Sequence, residues 1–169
     1  CGKTTLLNLM LRLYEPQKGK ISIAAQDIRQ IKLDSLRSQI GIALQEPFLW
    51  NDSIANNIRY AKTDANLEEI KHAATIAQIE EFIASLPQGY DSIVGEMASK
   101  ISEGQKQRLA IARAVVKNPA ILIFDEAMAS LDSQTEEKII QGLKEEFKSS
   151  IVIVVSHRLS TVRNMDEVY

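Results

Sequence analysis

Two uninterrupted apolar runs constrain this chain more than any other feature. "AILIF" ends at Phe124 and is followed at once by Asp125 and Glu126; "IVIVV" ends at Val155 and is followed by Ser156, His157 and Arg158. A strand that is apolar at every position, rather than at alternate ones, must be covered on both faces. Parallel sheets sandwiched by helices provide that cover. "IGIALQ" has the same form and ends at Gln45. Helical stretches separate these runs. Leu6 to Leu13 forms a short helix stopped by Pro16, and Leu67, Ile70, Ala73, Ala74 and Ala77 line one face of another. Ile79, Phe82, Ile83 and Leu86 continue in a further helix before Pro87, and helices are expected over Glu103–Lys117 and from Ser133 to about Phe147. "KGKISIAAQDI" shows a turn and then alternation at Ile21 and Ile23, which predicts a strand near a sheet edge. The expectation is one α/β domain with a mostly parallel sheet, interrupted by an inserted helical region at about residues 53–117.

Ligands of such sheets bind at the carboxyl ends of the strands. Gln45, Asp125, Glu126 and His157 all fall there, and that convergence directs attention to them.

Composition narrows the function classes. Lys plus Arg is 20 against 22 Asp plus Glu, a net charge of −2, and no basic stripe forms, so no nucleic-acid partner is expected. The single cysteine cannot form an internal disulfide, and a reducing setting is expected. The apolar runs are strand-length, far below the roughly 20 residues that span a bilayer.

Each chemical motif has a plain reading beside a functional one. In Gly2-Lys3-Thr4-Thr5, amides at a helix N-terminus suit phosphate oxygens, Lys3 suits their charge, and the Thr4 hydroxyl suits Mg²⁺; equally, Thr is a common helix cap. Asp125 and Glu126 suit metal binding and activation of water, or else cap the next helix. Adjacent carboxylates at a buried strand end repel, and a divalent cation relieves that cost. His157 and Gln45, taken singly, read first as strand-end polar groups rather than as functional ones.

The order of the segments settles more than any one of them. Gly2-Lys3-Thr4, Gln45, "ISEGQ", "ILIFDE", "SLD" and His157 together resemble the nucleotide-binding domain of ATP-binding cassette (ABC) transporters, over essentially the whole chain. The resemblance implies a P-loop NTPase core with ATP and Mg²⁺ as ligands. It makes Gly2, Lys3, Thr4 and Thr5 the end of the Walker A loop and Gln45 the Q-loop ligand for Mg²⁺ alongside Thr4 and Asp125. Ser102, Gly104 and Gln105 match the signature motif, which in this family reaches the γ-phosphate on an opposing subunit. Glu126 matches the catalytic glutamate and His157 the switch histidine, and with Lys3 they form the expected catalytic set; Asp132 belongs to the D-loop and is expected to bind nucleotide. Implied partners are a second nucleotide-binding domain, identical or not, and transmembrane domains, fused or associated. The implied location is the cytoplasmic face of a plasma or inner membrane. "EPFLWNDSIANNI" and "GYDSIVGE" resemble exporter stretches, with Glu96 implied to touch the membrane half.

The chain departs from the family pattern at Glu103, where Gly is common, at Ala129-Ser130, and at Met97-Ala98. Glu103 is expected to point away from phosphate. Read against the family, the chain begins inside the phosphate loop, with Cys1 next to bound nucleotide, and stops before further strands; this piece alone is therefore expected to bind ATP poorly. The competing readings are the ATPase head of a DNA-repair or chromosome-maintenance protein, disfavoured by the lack of sustained heptads, and a non-hydrolysing regulatory module, disfavoured by Glu126.

Overall fold

The structure is a computed structural model that describes residues 2–95, 101–163 and 165–169. Its centre is a three-stranded sheet of β3 (Ile40–Ala43), β4 (Ile121–Asp125) and β5 (Ile151–Val155), in the order β3-β4-β5. Both pairings are parallel, with Ile40 opposite Ile121 and Ile121 opposite Ile151. The middle strand is buried at all its positions, as its unbroken apolar run requires.

Alternate residues of β4 serve different cores. Leu122 and Phe124 face the larger one, with Ala43, Val152, Val154 and the buried side of α6 (Glu103–Val115). Ile121 and Ile123 face the smaller one, with Ile40, Leu7 of α1 (Lys3–Met10) and Leu36 of α2 (Leu33–Ser38). The helix α6 lies so close to β3 that a Cβ at Gly41 would come within 2.3 Å of the Ala114 carbonyl oxygen. Glycine is the residue that allows this approach.

Between β3 and α6 the chain forms α3 (Ile54–Arg59), α4 (Leu67–Ile76) and α5 (Glu80–Ser85). Side chains start two of them: Ser53 accepts from Asn56 N–H, and Asn66 and Glu69 form a reciprocal capping box. α3 and α4 pack on α6, which also packs on β3, so α6 joins the helical region to the sheet. Beyond β4 lie α7 (Ser133–Glu146) and α8 (Leu159–Arg163). No described helix is long and apolar enough to cross a membrane.

The structure differs from expectation in several local places. α1 spans Lys3–Met10 rather than running to Leu13, and α8 was not expected. α6 ends at Val115 rather than Lys117, with Asn118 in the left-handed region at φ 47°. α2 was not legible, because six residues carry too little periodicity. The edge strand is instead a two-residue hairpin, β1 (Ser22–Ile23) with β2 (Gln26–Asp27), outside the parallel sheet. It turns through Ala24 and Ala25 at φ 49° and 64°, a conformation that Asn-Gly would have signalled and Ala-Ala does not.

Candidate functional site

The site forms where α1, β4 and β5 meet. Gly2, at φ 90°, turns the chain into α1, and no side chain caps that helix and no acid lies in its first turn. Its leading N–H groups are thus available to an anion and aligned with the positive end of the helix dipole. Leu7, buried in the smaller core, anchors α1 against β4 and brings Thr4 Oγ1 to 3.5 Å from Asp125 Oδ2.

Three side chains converge beside that pair. His157 Nε2 lies 2.9 Å from Glu126 Oε1 and 3.0 Å from Lys3 Nζ, and Lys3 Nζ lies 3.8 Å from Glu126 Oε1. A single ring nitrogen cannot accept from an ammonium and donate to a carboxylate at once. His157 either takes a hydrogen bond from Lys3 when neutral or gives one to Glu126 when protonated there. The group is therefore poised to rearrange around a new anion. Glu126 itself sits in the left-handed region at φ 51°, a conformation costing a non-glycine residue about 1–2 kcal/mol. The strand ladder holds it there, since Glu126 N–H donates to Val155 O at 3.0 Å. A cavity of about 180 Å³ behind it is lined by Met128, Arg158 and Thr161 as well as Glu126 and His157.

The other predicted residues gather elsewhere. Ser102, Gly104 and Gln105 form the start of α6, where Ser102 and Gln105 cap each other's backbone amides reciprocally. Asp132 caps α7, accepting from Gln134 N, Thr135 N and Thr135 Oγ1; these bonds, those from Thr135 foremost, hold its carboxyl below the usual range. Ser102, Gly104, Ser130 and Asp132 share a concave cavity of about 380 Å³ with Arg108 and Glu103. Glu103 pairs with Lys106 on the helix surface at 3.4 Å. No hydrogen bond among the described residues joins this second group to Lys3, Glu126 or His157. Gln45 is exposed two residues past β3, and its side chain makes no hydrogen bond to Thr4 or Asp125 among the described residues. Cys1, Glu96, Met97 and Ala98 lie outside the described residues.

Sequence reasoning missed the groups that hold these loops. Arg158 donates to Glu136 Oε2 at 2.7 Å and, at 2.8 Å each, to the carbonyls of Leu131 and Ala129, while Thr161 donates to the other oxygen of Glu136. Glu136 is buried, at 3% exposure. Its signal was a carboxylate on the inward face of an amphipathic helix. Near β3, Arg113 donates to Asn57 O and Phe48 O at 2.8 Å and covers the Trp50 ring; burial lowers its pKa to about 10, leaving it charged at neutral pH. Trp50 stacks on exposed Tyr60 and meets exposed Phe48 edge-on.

The donor chemistry fits a magnesium–polyphosphate ligand. The Thr4 hydroxyl and Asp125 carboxylate are hard oxygen ligands, and the described residues contain no cluster of three or more His, Cys, Asp or Glu. Mg²⁺ commonly takes one or two protein oxygens and completes its shell with water and phosphate.

Comparison with known proteins gives a consistent result. A family model described as ABC transporter matches residues 1–129. The ATP-dependent lipid A-core flippase of Syntrophus aciditrophicus (strain SB) is 46% identical over 99% of this chain, which spans 28% of the flippase. The mitochondrial iron-sulfur clusters transporter ABCB7 of Oryzias latipes is 45% identical over 99% of the chain and 22% of its own length. A solved bacterial Atm1-family ABC exporter with ATP bound superimposes with a TM-score of 0.90 at 46% identity, covering 95% of this chain and 28% of that one.

Proposed function

The chain belongs to the ABC transporter family, and we propose that it is the ATP-binding and ATP-hydrolysing motor of an exporter. The observation that carries this reading is the convergence of Lys3, Glu126 and His157 within 3.8 Å beside the uncapped start of α1.

In this reading the amides of Lys3, Thr4 and Thr5, entered through Gly2, cradle the phosphates of ATP. Thr4 and Asp125, with Gln45, would hold Mg²⁺, which would supply neutralisation of charge on the phosphate oxygens. Lys3 and His157 both lie against Glu126 Oε1. A γ-phosphate arriving between them competes for both donors and frees that carboxylate. Glu126 then orients a water for in-line attack and takes its proton, while Lys3 and His157 stabilise the charge on the transferring phosphoryl group. The left-handed backbone is kept at the position whose Oε1 meets His157 and Lys3.

Ser102, Gly104, Gln105 and Asp132 serve a different nucleotide. Ser102, Gly104 and Asp132 line their own concave surface, separate in hydrogen bonding from the Lys3 group, as two half-sites require. A second nucleotide-binding domain completes each site, and closure of the pair drives transmembrane domains from the cytoplasmic side of the membrane. The helical region of about residues 53–117, with exposed Tyr60 in it and exposed Phe48 just before it, is the face turned toward the membrane domains.

The test is Glu126→Gln in the whole transporter. It removes the base but keeps the shape, so ATP binding stays within about threefold while kcat falls at least about 100-fold. Turnover within a factor of a few of wild type excludes Glu126 as the base.

A further inference from the structure

One polar side chain lies on the buried face of α6. Gln107 is 2% exposed, in a helix whose other buried residues are all apolar. Both ends of its carboxamide are engaged. Oε1 accepts from Ser130 N–H at 3.0 Å, and Nε2 donates to the Gln45 carbonyl at 3.4 Å. A backbone N–H only donates and a backbone carbonyl only accepts, so the amide can face in one sense only.

The two partners belong to loops at the ends of different strands. Gln45 follows β3, and Ser130 lies in the loop that leaves Glu126 for α7. Arg158, next to His157, holds the same loop through Ala129 O and Leu131 O. The backbone at 129, 130 and 131 is thus held by two side chains, from α6 on one side and from the loop after β5 on the other.

We propose that Gln107 is a positioning residue whose carboxamide ties the backbone at Gln45 to the backbone at Ser130, so that the two strand-end loops move as one. Shifting either loop alone would strand one end of a buried amide away from water. A movement at Gln45 is therefore passed to the loop behind Glu126, which Arg158 already joins to the histidine side. The link itself stands on the geometry; its consequence for hydrolysis rests on the ATPase reading above.

The experiment compares Gln107→Met and Gln107→Glu with wild type in the whole transporter, by hydrogen exchange and chymotryptic cleavage without nucleotide and by ATPase kinetics. Met keeps the volume and loses both bonds. Exchange at Ser130 and chymotryptic cleavage after Leu44 or Phe48 are expected to quicken together, by about tenfold or more, with exchange across α6 and β4 unchanged. Glu keeps an acceptor for Ser130 N–H and lacks the donor to Gln45 while ionised, so only the cleavage quickens. Unchanged cleavage at 44–48 in the Met variant, or loosening of all of α6, overturns the link.

In the kinetic arm, Gln107→Met lowers kcat about tenfold and leaves KM for ATP within about threefold. Gln107→Glu, which spares the Ser130 bond, lowers kcat in the same way. A Glu variant with wild-type kcat shows that the Gln45 bond does not act on hydrolysis. A wild-type transporter that hydrolyses no ATP would defeat the functional reading, and the exchange and cleavage arms would still decide the link.

Discussion

Replacing Glu136 with alanine tests how the loops around the site are held. Glu136 is buried in α7, with one oxygen 2.7 Å from Arg158 Nη1 and the other accepting from Thr161. Removing one member of a buried ion pair costs roughly 3–5 kcal/mol, because the other charge stays behind uncompensated. Two features place this case at the lower end. The Arg158 side chain is 36% exposed, so water replaces part of the lost contact, and it keeps its bonds to Ala129 O and Leu131 O. Loss of the acceptor for Thr161 adds roughly 1 kcal/mol. The expected destabilisation is about 3 kcal/mol for Glu136→Ala and about 1 kcal/mol for Glu136→Gln, which keeps an acceptor without the charge. Guanidinium unfolding of this chain, followed at its single tryptophan, Trp50, reads both. Arg158→Met should cost about as much as Glu136→Ala, about 3 kcal/mol, and the Glu136→Ala/Arg158→Met double variant less than the sum of the two single changes. A Glu136→Ala cost below about 1 kcal/mol, or full additivity in the double variant, would refute the reasoning.

Gly41→Ala forces a Cβ to within 2.3 Å of Ala114 O and 2.9 Å of Pro119 Cγ, neither of them a flexible side-chain end, so β3 and α6 must separate. The expected loss is about 3 kcal/mol, the upper part of the overpacking range, by the same unfolding measurement; a smaller loss than about 1 kcal/mol would mean the helix slides freely on the sheet. Asp132 supplies a pH-dependent prediction. Its carboxyl is held below the ordinary value of 3.8 by bonds from Thr135 and Gln134, so its stabilisation is complete above that value and is lost as pH falls through the depressed folded value. Wild type should therefore lose stability relative to Asp132→Asn only in strong acid, as thermal melts across a pH series will show; a difference that grows above pH ~5 contradicts the capping role.

Much of the fold was legible in the sequence because its signals are local. The unbroken apolar run at 120–124 demands cover on both faces, and β4 divides its residues between two cores as that demands; the same expectation fails for 151–155, where β5 is only half-buried and Ile151 is exposed. Strand ends are where side chains leave a parallel sheet, so Asp125, Glu126 and His157 could be picked out as a group. Turn chemistry was legible only where it used the usual residues, and Ala24-Ala25 did not.

The sequence alone determined which chemical groups the chain carries and that Gln45, Asp125, Glu126 and His157 stand at strand ends. Only the tertiary structure decided which of them meet. Placing β4 between β3 and β5 brings Lys3 to His157 across 154 residues and leaves Ser102 and Asp132 on a surface of their own. The same packing turns Gln107 and Glu136 inward, where loss of water obliges each to bind a loop. Hydrophobic periodicity reports the face a residue presents over one or two turns; it carries no information on the order of strands, and strand order sets the distances in this site.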